Sequence, residues 1–530
     1  MDENISAVES FIDYKAATGM QCGNYSIDLP ELKEGEQYRF HFDATKCIGC
    51  HCCEVACNEI NNNPVDVKYR RVGELEGGIF PDASWLFISM GCNHCIDPWC
   101  LKGCPTKSYI KIDNGIVIHD DEACIGCQYC TWNCPYGVPV YNKERHIVTK
   151  CHMCYEKIEA KETPACVQAC PEGAIEIEVV NKEEWMKNSI DKEGNAPGLV
   201  DARVTMSTTR YTLPQNLPPK MHPVDEGQIK PSHPEIPLVF MTVLTQISLF
   251  GFLALFLGDL FASFSSALPA PDFWVAIAVL IPAAAGLPLS ALHLGRPFKA
   301  LSAMKNIKTS WLSREAAALG AFVSGMTITA LLYFFNIDGF ARIATEALTA
   351  AVGIYGIFSQ AMIYMIEARP SWNRKTTIYK FFGTGFAGIL LVAAVAIAQN
   401  RIDIANSLIA LALLLGALQI YLFFESKRFY EMLNPDHRYF YQLDKTKKLL
   451  FERFGRLYKI RQITLITAAA ALPLLVSLFL SSHNTVLAFF LAVLAFVTAL
   501  VSELIGRLLF YTTAVPLQLP GNFFAGAQRG

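Results

Sequence analysis

Sixteen cysteines between Cys47 and Cys170 fall into four runs of four. The first run (Cys47, Cys50, Cys53, Cys57) and the third (Cys124, Cys127, Cys130, Cys134) read C-x2-C-x2-C-x3-C. The second (Cys92, Cys95, Cys100, Cys104) reads C-x2-C-x4-C-x3-C, and the fourth (Cys151, Cys154, Cys166, Cys170) reads C-x2-C-x11-C-x3-C. In such a run three thiolates on a tight loop wrap one corner of an iron–sulfur cubane, and the fourth, a helical turn on, ligates the neighbouring cluster. Pro105, Pro135 and Pro171 follow the last cysteine of three runs, and Asn58 follows it in the first. The pattern predicts four 4Fe–4S clusters held by these sixteen thiolates. Structural zinc favours two CxxC pairs closing one tetrahedron and does not ask for the repeated x3-C-P ending. Disulfides suit small secreted chains, which this one is not.

The elements around the runs are strands and turns. Gln37–Ala44 alternates like a strand and feeds into Cys47; Trp85–Met90 does the same before Cys92. Ile110–Ile118 reads as a hairpin closed by a type I′ turn at Asn114-Gly115, and Ala174–Val180 as a further strand. Together they describe an α+β double ferredoxin-like domain over residues 1–211. Cys22 reads as a spare thiol, and Cys52 as a bystander because the register selects Cys53. Trp99 and Trp132 stand among the ligands, where they would shield clusters from water.

The second half has a different composition. Mean hydropathy is +0.28, with 18% charged residues, too apolar for a soluble enzyme of this length. All eighteen cysteines precede residue 171, and the long apolar runs begin after residue 236. Residues 212–237 carry seven prolines and read as an extended linker. Beyond it, eight spans approach the ~20 residues a bilayer crossing needs: 238–262, 272–293, 315–335, 344–366, 381–399, 404–424, 462–481 and 485–510. The expected architecture is therefore multidomain: the cluster domain, the linker, and an all-α eight-helix transmembrane bundle over 238–530. Nineteen Lys and Arg residues lie in connections on the cluster-domain side and two, Arg342 and Arg401, on the other. That bias places the cluster domain and the C-terminus in the cytoplasm of a cell whose inner membrane holds the bundle. Residues 1–30 show no signal-peptide pattern, and Arg70-Arg71 is too far in for a twin-arginine leader, which fits a reducing compartment. A net charge of −3 gives no sign of nucleic acid, and none is expected as a partner.

Ionisable groups within spans are costly and usually functional. His293 ends the second span and Glu315 opens the third, both at the cluster-domain end, where a histidine and a carboxylate suit two-proton exchange with a quinol. Capping in the headgroup region is the alternative reading. Glu503 and Arg507, spaced i,i+4, are expected to form an ion pair, with a role lining a quinone pocket as the alternative. Asp259 and His483 are expected to be solvated at the far face. His293 is the sole histidine in any span, so bis-histidine haem is not expected.

The cysteine runs resemble the four-cluster electron-transfer subunit of the dimethyl sulfoxide reductase family of molybdoenzymes. Cys127 stands where nitrate reductase relatives carry tryptophan and a 3Fe–4S cluster. The spans, with Leu292-His293-Leu294-Gly295-Arg296-Pro297, Ser310-Trp311-Leu312-Ser313-Arg314-Glu315 and the stretch Ser502–Tyr511, resemble that family's eight-helix anchor subunit. The resemblance covers residues 40–515 and implies a fusion of two normally separate subunits. It implies which cysteines share a cluster: Cys47, Cys50, Cys53 and Cys170; Cys57, Cys151, Cys154 and Cys166; Cys92, Cys95, Cys100 and Cys134; Cys104, Cys124, Cys127 and Cys130. It also implies menaquinol, or another quinone, at His293 and Glu315, with Lys305 as counterpart of a family arginine.

The expected function is a redox conduit between the membrane quinone pool and a separate molybdopterin-containing catalytic subunit. Quinol electrons are expected to enter a cluster of the first and fourth runs. The alternatives are a proton-translocating quinone module, which needs titratable groups through the bilayer midplane, and a passive anchor.

Overall fold

The computed structural model describes residues 32–264 and 271–521; Cys22 lies outside them. Strand β1 (Glu36–Asp43) buries Phe40 and Phe42 on one face and pairs antiparallel with β8 (Ile175–Asn181), setting Phe40 opposite Ile177 and Phe42 opposite Ile175. Its other edge takes β9 (Arg210–Thr212) in parallel. A second sheet joins β2 (Arg71–Gly77) to β3 (Ser84–Met90) and to β10 (Met221–Pro223). Two small hairpins, β4–β5 (Tyr109–Lys111, Val117–His119) and β6–β7 (Val140–Asn142, Ile147–Thr149), complete the strands. Between them run the cysteine loops and short helices, among them Cys52–Ile60, Trp99–Gly103 and Tyr129–Asn133.

Two local expectations are corrected. In the first hairpin only Gly115 is left-handed (φ +83°), whereas a type I′ turn needs both central residues so. The turn instead runs from Ile112 to Gly115, whose N–H donates to the Ile112 carbonyl (2.9 Å). Tyr38 N–H donates to the Asn114 carbonyl (3.0 Å), tying this loop to β1. The proline-rich segment is not a free linker either, because β10 lies within it and pairs Met221 with Gly77 and Pro223 with Leu75.

Among the described residues, eight helices are long and apolar enough to cross a membrane: Ile236–Phe264, Phe273–His293, Trp311–Phe334, Phe340–Ile363, Lys375–Ala398, Ile402–Glu431, Gly455–Ser481 and Thr485–Thr512. Their starts carry side-chain caps where sequence supplies them. Asp272 accepts from Trp274 N (3.1 Å), Ser310 from Ser313 N (3.4 Å) and Asn484 from Leu487 N (3.2 Å). Small residues let helix backbones approach: a Cβ on Gly388 of the fifth helix would lie 2.2 Å from the Ile247 carbonyl oxygen of the first.

After the eighth helix the chain turns back into the cluster domain. Leu517 and Leu519 are buried in that domain's core, and Glu74 N–H donates to the Gly521 carbonyl (3.1 Å). The anchor portion therefore ends by bracing the cluster domain.

Candidate functional site

All cysteines among the described residues are free thiols. Their loops share one backbone feature: the residue before the second cysteine of each run is left-handed, namely Gly49, His94, Gly126 and Met153 (φ +70°, +41°, +68° and +59°). This conformation turns successive N–H groups into a concavity that favours an anionic centre. The N–H two residues after the first cysteine accordingly donates to its sulfur, as at Gly126 to Cys124 Sγ and Met153 to Cys151 Sγ, both 3.4 Å. The last cysteines repeat a second pattern, with Ser108 N–H on Cys104 Sγ (3.3 Å) and Ala174 N–H on Cys170 Sγ (3.2 Å).

The thiols converge in fours. Cys47, Cys50, Cys53 and Cys170 line one cavity; Cys92, Cys95, Cys100 and Cys134 line another, walled by Trp99. Cys57 neighbours Cys151, Cys154 and Cys166, and Cys127 neighbours Cys104, Cys124 and Cys130. Cys52 is exposed and does not line the first cavity. Burial pushes the Cys53 and Cys134 thiols up to about 11, so thiols in these positions resist ionisation unless positive charge meets them. The fold supplies that charge. Arg70 is fully buried beside Cys166, Cys53, Cys151 and Cys57, its Nε and Nη2 without a hydrogen-bond partner. Lys150, also buried, faces Cys92 and Cys100, and His119 hydrogen-bonds Cys124. Tetrads of thiols, inward N–H groups and buried cations fit an anionic iron–sulfur cluster, and neutral disulfides would leave Arg70 uncompensated.

The tetrad nearest the membrane is Cys104, Cys124, Cys127 and Cys130, not one drawn from the first and fourth runs as expected from the sequence. Cross-ligation says which thiols meet but not which end of the domain faces the bundle. The segment between the second and third membrane helices receives this tetrad through backbone bonds. Arg296 N–H donates to the Ile125 carbonyl (3.1 Å) and its guanidinium to Asp121 O (2.8 Å), while Asn306 donates to Cys104 O (2.8 Å) and Ser310 to Gly103 O (2.7 Å). Two glycines permit the approach: a Cβ on Gly295 would lie 2.1 Å from the His146 carbonyl oxygen, and one on Gly126 2.9 Å from Gly295 Cα.

Tyr129, between Cys127 and Cys130 in sequence, reaches into the helical bundle, where its hydroxyl donates to the Ile363 carbonyl (3.2 Å). Burial, with Cys127 and Glu315 both close by, pushes its phenol up. Tyr129 thus lies between a cysteine tetrad and Glu315 of the third membrane helix. Trp132 packs its ring against Tyr364, Trp372 and Tyr511, so it forms part of the seam with the bundle as well as shielding thiols.

Glu315 is 4% exposed, and its Oε1 has no hydrogen-bond partner. Gln360 lies beside it and accepts from Gln246 (2.7 Å), which in turn accepts from Arg507 (2.9 Å). All four are buried, so a polar chain links the Glu315 carboxyl to a guanidinium through two glutamines. Neither glutamine stands out in the sequence; each is a lone polar residue in an apolar span. His293 is half-buried in a short 3-10 turn, and its Nδ1 bonds the Ser290 carbonyl. A carbonyl only accepts, so Nδ1 carries the proton and Nε2 is left as a base. Lys305 is exposed at the end of the next 3-10 segment; its N–H donates to the Ser302 carbonyl (3.2 Å), and its ammonium has no hydrogen-bond or ion-pair partner among the described residues.

Two other expectations are overturned. Glu503 and Arg507 do not pair. Glu503 accepts from Thr384 (2.8 Å) and Gln419 (3.1 Å), while Arg507 serves Gln246 and stacks on Phe381, because tertiary partners outcompete the i,i+4 geometry. Asp259 is not solvated but 2% exposed, in a two-bond pair with Arg342 (2.7 and 2.9 Å). Beside them lies Glu346, fully buried, its carboxyl next to the Tyr333 hydroxyl. His483 is exposed, as expected.

The fold and these thiols define a membrane-anchored iron–sulfur electron-transfer protein. Residues 83–180 match the 4Fe-4S dicluster domain family, and residues 230–513, more than half the chain, match the DMSO reductase anchor subunit (DmsC) family. The chain belongs to the dimethyl sulfoxide reductase family, with its iron–sulfur and anchor portions in one polypeptide. It is 39% identical to the B subunit of the anaerobic dimethyl sulfoxide reductase of Haemophilus influenzae over 156 residues, 28% of this chain and 76% of that subunit. It is 36% identical to the B subunit of the Escherichia coli K12 enzyme over 169 residues, 30% of this chain and 82% of that subunit. With the iron-sulfur subunit of the nitrate-inducible formate dehydrogenase of E. coli K12, identity is 40% over 152 residues, 25% of this chain and 51% of that subunit.

Proposed function

We propose that this chain passes electrons between membrane quinol, menaquinol foremost, and a separate molybdopterin-containing catalytic subunit through four 4Fe–4S clusters. The sixteen cysteines of the four runs would hold them, in the four tetrads the fold assembles. Bound there, the clusters supply one-electron carriers. The observation that carries the quinol reading is Tyr129, placed between the tetrad at Cys127 and Glu315, whose Oε1 has no hydrogen-bond partner among the described residues.

The protein's own groups divide the proton work. His293 offers Nε2 to one quinol hydroxyl, its ring held by the Ser290 carbonyl. Glu315 takes the second proton at Oε1, and the Gln360–Gln246–Arg507 chain offsets its charge. Tyr129 fills the space towards the thiols and excludes water. Lys305, exposed on the same segment, meets the headgroup layer. No haem is invoked. The lysine and arginine bias puts the cluster domain on the cytoplasmic side, and with quinol protons released there the reaction is electroneutral. Against the proton-translocating alternative stands an apolar belt: Leu249, Phe252, Phe322 and Met326, all buried, separate Glu315 from Glu346. The catalytic partner docks where the tetrad of Cys47 has walls only from the cluster domain and Ile48, Val55 and Ile60 are exposed.

Binding of a fluorescent quinol analogue to His293→Ala and Glu315→Gln, each with wild-type iron content, tests the site. Loss of binding by at least about tenfold is expected. Unchanged binding and unchanged quinol-linked reduction in both variants would leave only a passive anchor. Molybdenum in material copurified from native membranes tests the partner.

A further inference from the structure

Away from Glu315, the ends of the last four membrane helices nearest the cluster domain enclose a cavity of about 90 Å³ with an unusual charge balance. Lys380 enters from the second turn of the fifth helix, Arg461 from the second turn of the seventh and Arg507 from the end of the eighth. The one carboxylate on the wall, Glu503, is bonded to the neutral donors Thr384 and Gln419 and to none of these cations. Arg374, at the rim, is balanced by Glu425 (3.0 Å). Three cations against one carboxylate leave two positive charges, half-buried between helix ends, that no acidic side chain of the wall meets, which favours an anion there.

The cavity is built for its cations. Lys380 has a single partner, Ser426 Oγ (2.8 Å). The Arg461 side chain has no acceptor among the described residues; it lies over the Phe423 ring (5.4 Å), and its buried Nε is unpartnered. A Cβ on Gly506 would come within 2.5 Å of that Nε, so this glycine admits the guanidinium. The room is several times what one water needs. Its depth, one to two turns inside the helix ends, is where lipid phosphates lie, and basic pockets between helices at that depth bind anionic headgroups.

We infer that this cavity binds a phosphate-bearing anion between Lys380, Arg461 and Arg507, supplied by an anionic phospholipid headgroup or by free phosphate. Arg507 is shared with the polar chain that leads to Glu315, but Lys380 and Arg461 are not, and the test is made on these two so that it stands apart from the quinol reading.

The full chain, extracted from native membranes and exchanged exhaustively into a neutral, phosphorus-free detergent and buffer, is assayed for phosphorus and for iron. About one phosphorus per chain is expected in the wild type, and at least about a fivefold drop in Lys380→Gln and Arg461→Gln at unchanged iron, while Arg461→Lys retains it. Phosphorus in the organic extract identifies the lipid source, and phosphorus in the aqueous extract identifies free phosphate. A second measurement covers variants that fold poorly: wild-type thermal stability in phosphatidylcholine nanodiscs should rise when phosphatidylglycerol is added or, for the free anion, when inorganic phosphate is added. Wild type without bound phosphorus, equal retention in both glutamine variants, or a quinone lost from the variants in place of phosphorus overturns the inference.

Discussion

Arg70→Gln isolates the electrostatic role of the buried cation between two thiol tetrads. Arg70 is 2% exposed and has no carboxylate partner; its one hydrogen-bonding nitrogen, Nη1, serves Ser89 Oγ (3.1 Å) and the Ser89 carbonyl (3.3 Å). Its charged neighbours are thiols of both the Cys53 tetrad and the tetrad of Cys57, Cys151 and Cys166. Removing one unit charge roughly 6 Å from a redox centre, at an effective dielectric of about 20, costs the reduced form about 3 kcal/mol. For a one-electron couple that is a fall of roughly 130 mV. Potentials of such clusters span about 1.1 V, so the shift is easily resolved. Redox titration followed by low-temperature paramagnetic resonance should show two centres moved down by about this amount. The centres beside Lys150 and His119 should move less, in the order of their distance from Arg70, and Arg70→Lys should restore most of the loss. A shift below about 20 mV in every centre, or a shift confined to the tetrads remote from Arg70, would refute the assignment of this cation and of the thiols around it.

Four further outcomes follow from particular contacts. Gly295→Ala places a methyl against the His146 backbone, which cannot yield as a side chain would, so quinol-linked reduction should fall with iron content unchanged. In Glu178, burial opposes ionisation, but His41 and Arg39 hold the carboxyl down at about 2. Its folded value lies below the unfolded one, so its contribution is present above about 4.5 and is lost as pH falls towards 2. Trp185 fluorescence during denaturation should report that loss in the wild type and a flatter acid profile in Glu178→Gln. Asp259→Asn leaves Arg342 with the exposed Asp338 as its ion-pair partner and should cost about 1–3 kcal/mol of stability in a denaturation midpoint assay, without changing quinol-analogue affinity. Proteolytic cutting between Glu226 and Lys230, an exposed stretch, should leave the two portions comigrating on gel filtration, because the C-terminal tail, with Leu517 and Leu519 in the cluster-domain core and Gly521 bonded to Glu74, still joins them.

The sequence was most legible where constraints are local. Three of four ligands in the first and third runs lie within seven residues, so spacing carries the chemistry. The membrane helices were legible because bilayer thickness imposes a length, and all eight spans fall on observed helices. What escaped depends on tertiary approach. Arg70 drew attention only as half of an arginine pair, although it sits among four thiols. Tyr129 was hidden among ligands, and its bridging role exists only because the bundle lies against that loop. Gln246 and Gln360 carry no periodic signal, and Glu503 and Arg507 each found a partner on another helix.

The joining of the two portions explains how a seam of such modest contacts holds its register. The bonds across it are mostly single side-chain or backbone donors onto carbonyls of the second and third cysteine runs, each worth about 1 kcal/mol net. As an encounter between separate chains they would have to offset the whole entropic cost of association. Here the chain passes the seam at the proline-rich segment, where β10 adds a strand to β2, and returns through the tail, where Gly521 bonds Glu74 on the same strand. Both connections grip β2, and both are ordered, so they fix orientation as well as raise effective concentration. Small, directional contacts then suffice to place Tyr129 between thiol and carboxyl, a placement whose value lies in its geometry more than in its binding energy.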